Sequence, residues 1–244
     1  MNKFSAAKSF ILDLFFPKFC LGCKREGSYL CEDCRALLDI SEFDYCLCER
    51  NPTRLIDLTK GKCRNCQDKK LSGLYSALPY KEKQLTRKLI YQFKYEPYLK
   101  DLSKTLASIL IEHFILAKRN LDEIWDNSVL VPIPLNRKKI RLRGYNQSEE
   151  LAKELARILK IPVISNNLIK IRQTKSQMTL KKEEREKNLL GAFAIKNPAK
   201  LAGKKVFLVD DVYTTGSTMQ GCASILRKAG AKSVWGIVIA REEL

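Results

Sequence analysis

The sequence predicts an α/β domain, a mostly parallel central sheet flanked by helices, preceded by a small cysteine-rich segment. Three observations carry this reading. From Ser128 onward aliphatic runs alternate with stretches of helical periodicity, the pattern of parallel sheets whose sites lie at the carboxyl ends of the strands. Eight of the nine cysteines fall in four close pairs before Leu71. One aliphatic run, in VFLVDDVYTTGST (Val206–Thr218), ends in two adjacent carboxylates and a turn rich in threonine, serine and glycine.

Taken in order, the N-terminal SFILDLFF reads as an amphipathic helix packed on the domain. Asp13 interrupts its apolar run, and no small-residue cleavage pattern follows, so it does not read as an export signal. This predicts a reducing, cytoplasmic setting in which the cysteines are not a disulfide framework. No apolar run is long enough to span a bilayer, so no transmembrane segment is expected.

The paired cysteines are Cys20/Cys23, Cys31/Cys34, Cys46/Cys48 and Cys63/Cys66. A C-x2-C turn sets two thiolates on one knuckle, and two facing knuckles complete the tetrahedral sulfur shell that zinc prefers. Two structural zinc sites fit the count, and metal binding would supply folding free energy to a segment with little apolar material. Sequential and interleaved pairings satisfy four-coordination equally. The single residue between Cys46 and Cys48 leaves the second site open to distortion, partial filling or loss. Cys222, inside a helical pattern, reads as a core thiol.

QDKKLSG forms a polar connector, and the boundary near Leu71 divides residues 1–70 from a larger domain, 71–244. LYSALPY reads as that domain's first strand. Helical periodicity runs through LTRKLIYQFKY and LSKTLASILIEHFILAKR, separated by Pro97. His113, with no second ligand or acid at useful spacing, is an ordinary residue of the second helix. Then follow strand SVLVPIPL, a basic loop, helix NQSEELAKELARILKI, strand NNLIKIR, a charged loop, strands AFAI and KKVFLVDD, helix STMQGCASILRKAG and strand SVWGIVIAR. The near-continuous aliphatics of VFLVDD mark a central strand buried on both faces, with Asp210 and Asp211 at its ligand-facing end.

The turn Thr214, Thr215, Gly216, Ser217 and Thr218 lies between that strand and the next helix. Its amides and hydroxyls, with the helix N-terminus, form an anion cradle. The carboxylates upstream suit sugar hydroxyls, so a sugar phosphate satisfies both halves. No G-x4-G-K-[ST] lysine is present, which excludes the P-loop reading. Forty-five Lys and Arg against 27 Asp and Glu leave a formal charge of +18, a field that attracts phosphates, nucleic acid or an anionic membrane without choosing among them. The loop after VPIPL adds Arg137, Lys138, Lys139, Arg141 and Arg143, cations suited to pyrophosphate or to a nucleic-acid backbone.

VFLVDDVYTTGST resembles the ribose-5-phosphate-binding motif of type I phosphoribosyltransferases, which bind phosphoribosyl pyrophosphate. VPIPLNRKKIRLRGYNQSEELA and RQTKSQMTLKKEEREKNLLGAF, with the cysteine-rich N-terminus, make nearly the whole chain similar to the ComF family of competence-associated proteins. Arg143, Gly144, Asn146 and Gln147 match its R-G-[FY]-N-Q element. Arg172, Thr174, Gln177, Leu180, Arg185, Asn188 and Phe193 match its long-loop element, and the C-x-C pair is the main departure.

The resemblance implies a type I phosphoribosyltransferase-like fold with an N-terminal double zinc ribbon. It also implies phosphoribosyl pyrophosphate or ribose 5-phosphate as ligand. Asp210 and Asp211 would then fix the ribose, Arg143 and Arg185 would hold the pyrophosphate, and Mg would accompany the diphosphate. The loop from Gln177 to Arg185 corresponds to a mobile hood over the site. The same resemblance implies single-stranded DNA handling in natural transformation, with competence-machinery proteins as partners. Tyr91, Tyr95, Tyr98 and Tyr145 near basic residues suit base stacking, though their helical spacing suits core packing as well. An active enzyme transferring ribose 5-phosphate to a nitrogenous acceptor, without a DNA role, is the alternative.

Overall fold

The computed structural model describes residues 17–49, 51–56, 61–80, 84–118, 121–172 and 191–242. The expected N-terminal helix lies outside these residues, as do Thr174, Gln177, Leu180, Arg185 and Asn188 of the hood. Along the chain run α1 (Glu32–Ala36), β1 (Gly73–Pro79), α2 (Leu85–Lys94), α3 (Leu102–Leu116), α4 (Leu121–Trp125) and β2 (Ser128–Pro132). They are followed by α5 (Arg137–Arg143), α6 (Gln147–Leu159), β3 (Leu168–Lys170), β4 (Phe193–Ile195), β5 (Lys205–Tyr213), α7 (Ser217–Lys228) and β6 (Ser233–Arg241).

The main sheet has four strands in the order β1-β6-β5-β2, and every pairing is parallel. β5 is central, as its aliphatic run predicts, and its alternating side chains feed two cores. Phe207 and Val209 meet Leu89 and Phe93 of α2, Leu106 and Leu110 of α3, and Leu151 and Leu155 of α6. Val206 and Leu208 face the other way, toward Met219, Cys222 and Leu226 of α7. Cys222 is therefore the core thiol the sequence predicts. β3 and β4 form a separate antiparallel pair.

Two local features depart from the expectations. The basic loop after β2 is in part helix α5, which buries no residue and leaves Leu142 exposed. Its caps define it: the Asn136 side chain accepts from the Lys138 amide at 2.8 Å, and Gly144 closes it at φ 82°. A run of like charges with no apolar face conceals a helix held only at its ends. β5 also continues two residues past the acids, because Val212 and Tyr213 still pair with Ala240 and Arg241 of β6. β2 ends opposite Val209, so Asp210 lies just beyond the last rung on that side.

The cysteine-rich segment packs against both cores. Cys20, Leu30 and Cys34 join the α2/α3 side, and Leu47 and Cys66 join the α7 side. Arg35 of α1 holds Glu112 at 2.6 Å and Ser108 at 2.8 Å on α3. His113, read from sequence as an ordinary helix residue, is fully buried with Nδ1 2.7 Å from the Ser41 carbonyl and Nε2 3.4 Å from Asp44. Its partners come from a segment some seventy positions away in sequence, so spacing could not show them.

Candidate functional site

The candidate site joins the end of β5, the turn after it, the start of α6 and the end of α2. Asp210 accepts hydrogen bonds at Oδ1 from the Ser148 hydroxyl at 2.8 Å and from the Asp211 amide at 3.0 Å. Burial, then the neighbouring Asp211 charge, raises its pKa to about 7, against the pull of Lys94 and Ser148. Asp211 is 3 % exposed and meets Lys94 Nζ at 2.8 Å through Oδ1. Burial works against the Lys94 charge, but Asp211 and then Asp210 outweigh it and hold its pKa above the ordinary value. The second oxygen of Asp211, Oδ2, is buried without a hydrogen-bond partner. A buried carboxylate oxygen in that state is poised to accept from a ligand hydroxyl.

Beyond the acids the turn reverses tightly. Gly216 caps α7 at φ 73°, and a Cβ there would collide with the Tyr213 hydroxyl, so only glycine fits. Thr215 Oγ1 and Ser217 Oγ lie 2.9 Å apart, orienting both hydroxyls at the helix end. Thr214 is exposed, and Thr215, Ser217 and Thr218 are half-buried around the mouth. The first turn of α7 adds backbone amides whose partners lie outside the helix ladder, together with the positive end of its dipole.

The R-G-Y-N-Q segment is mostly scaffold. Tyr145 is buried and donates to the Phe93 carbonyl at 2.6 Å, which ties α6 to α2. Asn146 donates to the Ile133 carbonyl at 3.0 Å and caps α6 by accepting from Ser148 N at 3.2 Å. Arg143 is half-buried, donates to Gln147 Oε1 and stands 6.0 Å from the Tyr95 ring centroid. Arg137, Lys138, Lys139 and Arg141 are exposed on α5. Phe193, from the long-loop element, is a buried core residue of β4, and Arg172 is exposed. Ser148 and Lys94 were not singled out in the sequence. Ser148 directly follows the R-G-Y-N-Q run, whereas nothing in FKYEP marks Lys94 as the partner of an acid on a distant strand.

The eight paired cysteines assemble sequentially: Cys20, Cys23, Cys31 and Cys34 in one tetrad, and Cys46, Cys48, Cys63 and Cys66 in the other, each with sulfurs within 4.8 Å of one another. The sulfurs lie 3.5 Å apart in Cys23–Cys31, 3.5 Å in Cys48–Cys63 and 3.4 Å in Cys48–Cys66. All are free thiols. A tetrahedral Zn–S shell of about 2.3 Å radius has edges of roughly 3.8 Å, so both tetrads fit a structural zinc. The one-residue spacing of Cys46 and Cys48 does not prevent assembly. Backbone amides also approach the sulfurs: Cys31 N to Cys20 at 3.4 Å and Thr53 N to Cys46 at 3.1 Å. Burial opposes ionisation of Cys20, yet such amide contacts outweigh it and lower its pKa to about 6. Among the described residues no helix is long and apolar enough to cross a membrane.

Comparison with known proteins agrees with this architecture. Residues 146–242 match the phosphoribosyl transferase domain family. The chain is 34% identical over 155 residues to competence protein F of Haemophilus influenzae, covering 62% of this chain and 67% of that protein. It is 32% identical over 147 residues to the DNA utilization protein YhgH of Salmonella typhimurium, covering 60% of this chain and 63% of the relative. To competence protein ComFC of Streptococcus pneumoniae it is 28% identical over 214 residues, covering 86% of this chain and 87% of that protein.

Proposed function

The chain belongs to the ComF family, and on that premise we propose that it binds phosphoribosyl pyrophosphate or ribose 5-phosphate with Mg at the end of β5 and handles single-stranded DNA during uptake in the cytoplasm. The observation that carries the sugar-phosphate reading is the buried, unpartnered Asp211 Oδ2 beside the Gly216 turn. Ribose hydroxyls donate to Asp211 and Asp210, and the 5-phosphate takes the amides and hydroxyls of residues 215–218. The DNA role draws on the competence and DNA-utilization relatives and on the +18 charge. The division near Leu71 belongs to the same reading: residues 1–70 carry the metals and residues 71–244 carry the ligand site.

Carboxylate oxygens suit a hard cation, but Asp211 is already paired with Lys94 and Asp210 with Ser148. That donor set fits magnesium held mainly by ligand oxygens and water rather than by a protein cage. When bound, magnesium would neutralise diphosphate charge. Arg143 and Arg185 would face the pyrophosphate.

The raised pKa of Asp210 favours a second reading, transfer of the ribosyl group to a nitrogenous acceptor. The bond from the anomeric carbon to pyrophosphate breaks, the bond to the acceptor nitrogen forms, and Asp210 takes the proton that nitrogen releases. Calorimetry with ribose 5-phosphate, with and without magnesium, tests the binding site. The wild type should bind, and D210N/D211N should lose binding while keeping its fold. Unchanged affinity in that variant removes the site assignment. Magnesium-dependent pyrophosphate release with candidate acceptors tests the second reading.

A further inference from the structure

Between the first cysteine knuckle and α2 lies an open cavity of about 330 Å³ lined by Leu21 and Lys24 of the knuckle and by Gln84, Arg87, Lys88, Tyr91 and Gln92. Among the described residues that line it there is no acidic side chain. α2 buries Leu89, Ile90 and Phe93 in the core and turns Arg87, Lys88 and Tyr91 outward. Tyr91 is 52% exposed and Tyr95 47%, and their rings sit 4.8 Å apart, one helical turn from each other. The face continues from Tyr95 to Arg143, 6.0 Å away. One residue before Tyr95, Lys94 turns inward to Asp211, so this groove and the acid pair are served by the same helix.

Resting on the DNA role proposed above, we infer that this groove receives a base of single-stranded nucleic acid stacked on Tyr91, with Lys24, Arg87 and Lys88 holding the adjoining phosphates. The volume lies within the range of small-ligand pockets, about 300–1,000 Å³, and a nucleobase is a ligand of that class. Cations around an exposed aromatic face are the sequence-tolerant chemistry of single-strand binding. A duplex keeps its bases stacked on one another and offers none to Tyr91. The tyrosines thus divide: Tyr145 is core, as one of its two expected roles allows, while Tyr91 and Tyr95 lie on the surface.

The test is fluorescence anisotropy of a labelled oligothymidylate of about 12 nucleotides with the full-length, zinc-loaded protein. Tyr91→Ala should weaken binding about tenfold, with Tyr91→Phe close to wild type. The triple variant K24A/R87A/K88A should lower the slope of log affinity against log salt by about two. Melting temperature and zinc content should stay at wild-type values in each. Oligonucleotide binding that is identical in Tyr91→Ala and wild type overturns the groove assignment. So does loss confined to the triple variant with equal displacement by polyglutamate, which marks a plain anion patch. A wild-type protein that binds ribose 5-phosphate but no oligonucleotide rejects the DNA role itself and the groove with it.

Discussion

Arg241, the last residue of β6, donates to the carbonyl of Cys46 at 2.6 Å, and its other terminal nitrogen donates to the carbonyl of Cys48. The guanidinium is 2 % exposed and stands 5.4 Å from the Tyr213 ring. Burial lowers its pKa, opposed by Tyr213 and then by the Cys46, Cys48 and Cys66 sulfurs. Four thiolates around one Zn²⁺ leave a net charge of −2, and a buried arginine beside them offsets it. Tyr213 in turn closes under Gly216. The second tetrad and the turn at Gly216 are therefore braced by the same two side chains.

Replacing Arg241 by methionine should destabilise the protein by about 2–4 kcal/mol, because two buried carbonyls lose their donor and the tetrad loses its counter-charge. Urea unfolding would read the loss. Zinc retained under a competing chelator should fall by one equivalent of the two, since the carbonyls Arg241 donates to belong to the second tetrad.

The two tetrads should fail differently. Cys66 and Leu47 pack in the core shared with Met219, Cys222 and Leu226 of α7, whereas Cys20 and Cys34 pack in the one shared with α2 and α3. Gln220 of α7 also accepts from the Lys70 amide at 2.7 Å and the Leu71 amide at 3.1 Å, just beyond Cys66. Cys46→Ser should therefore lower ribose 5-phosphate affinity severalfold along with zinc content. Cys23→Ser should lose zinc with affinity nearly intact. Calorimetry on both variants separates them, and equal losses would show that α7 does not depend on the second metal.

Asp210 gives a pH dependence whose sign can be worked out. Its folded pKa is raised to about 7, while in the unfolded chain it is near 4. Between those values the folded state holds a proton the unfolded state has released, so this group's contribution is full below pH 4 and falls as pH rises through 7. Asp210→Asn should raise stability at pH 7.5 by ~1–2 kcal/mol, with the gain shrinking toward pH 5. On the proposed function the ionised acid accepts from a ribose hydroxyl, so wild-type affinity for ribose 5-phosphate should rise between pH 6 and 8.

Much of this was legible in the sequence, and the reasons are local. VFLVDD displays its own burial on both faces, and cysteine pairs with two residues between them declare a knuckle without tertiary information. α5 was hidden because Asn136 and Gly144 define it while five of its seven residues are cationic and none is buried. Asp44, Ser148 and Lys94 were hidden for a different reason. Each acts through a partner on a distant element, His113, Asp210 or Asp211, and no period or spacing links the two.

Lys94 and Asp211 offer the cleanest coupling to measure. The pair is 2.8 Å apart, with side chains 24% and 4% exposed, so each leaves an uncompensated charge when the other is removed. Lys94→Met should cost about 3 kcal/mol of stability, and Asp211→Leu a comparable amount. The double variant should recover most of that loss, giving an interaction energy of about 1–3 kcal/mol in a double-mutant cycle. The folded pKa of Lys94 lies above its ordinary value, so its contribution is full below about pH 10 and fades as pH rises through the folded value. The cycle should therefore give the same coupling at pH 7 and 9. Simple additivity of the two substitutions would mean that Lys94 does not hold Asp211 in place, and the proposed ribose contacts would rest on Ser148 and the β6 ladder alone.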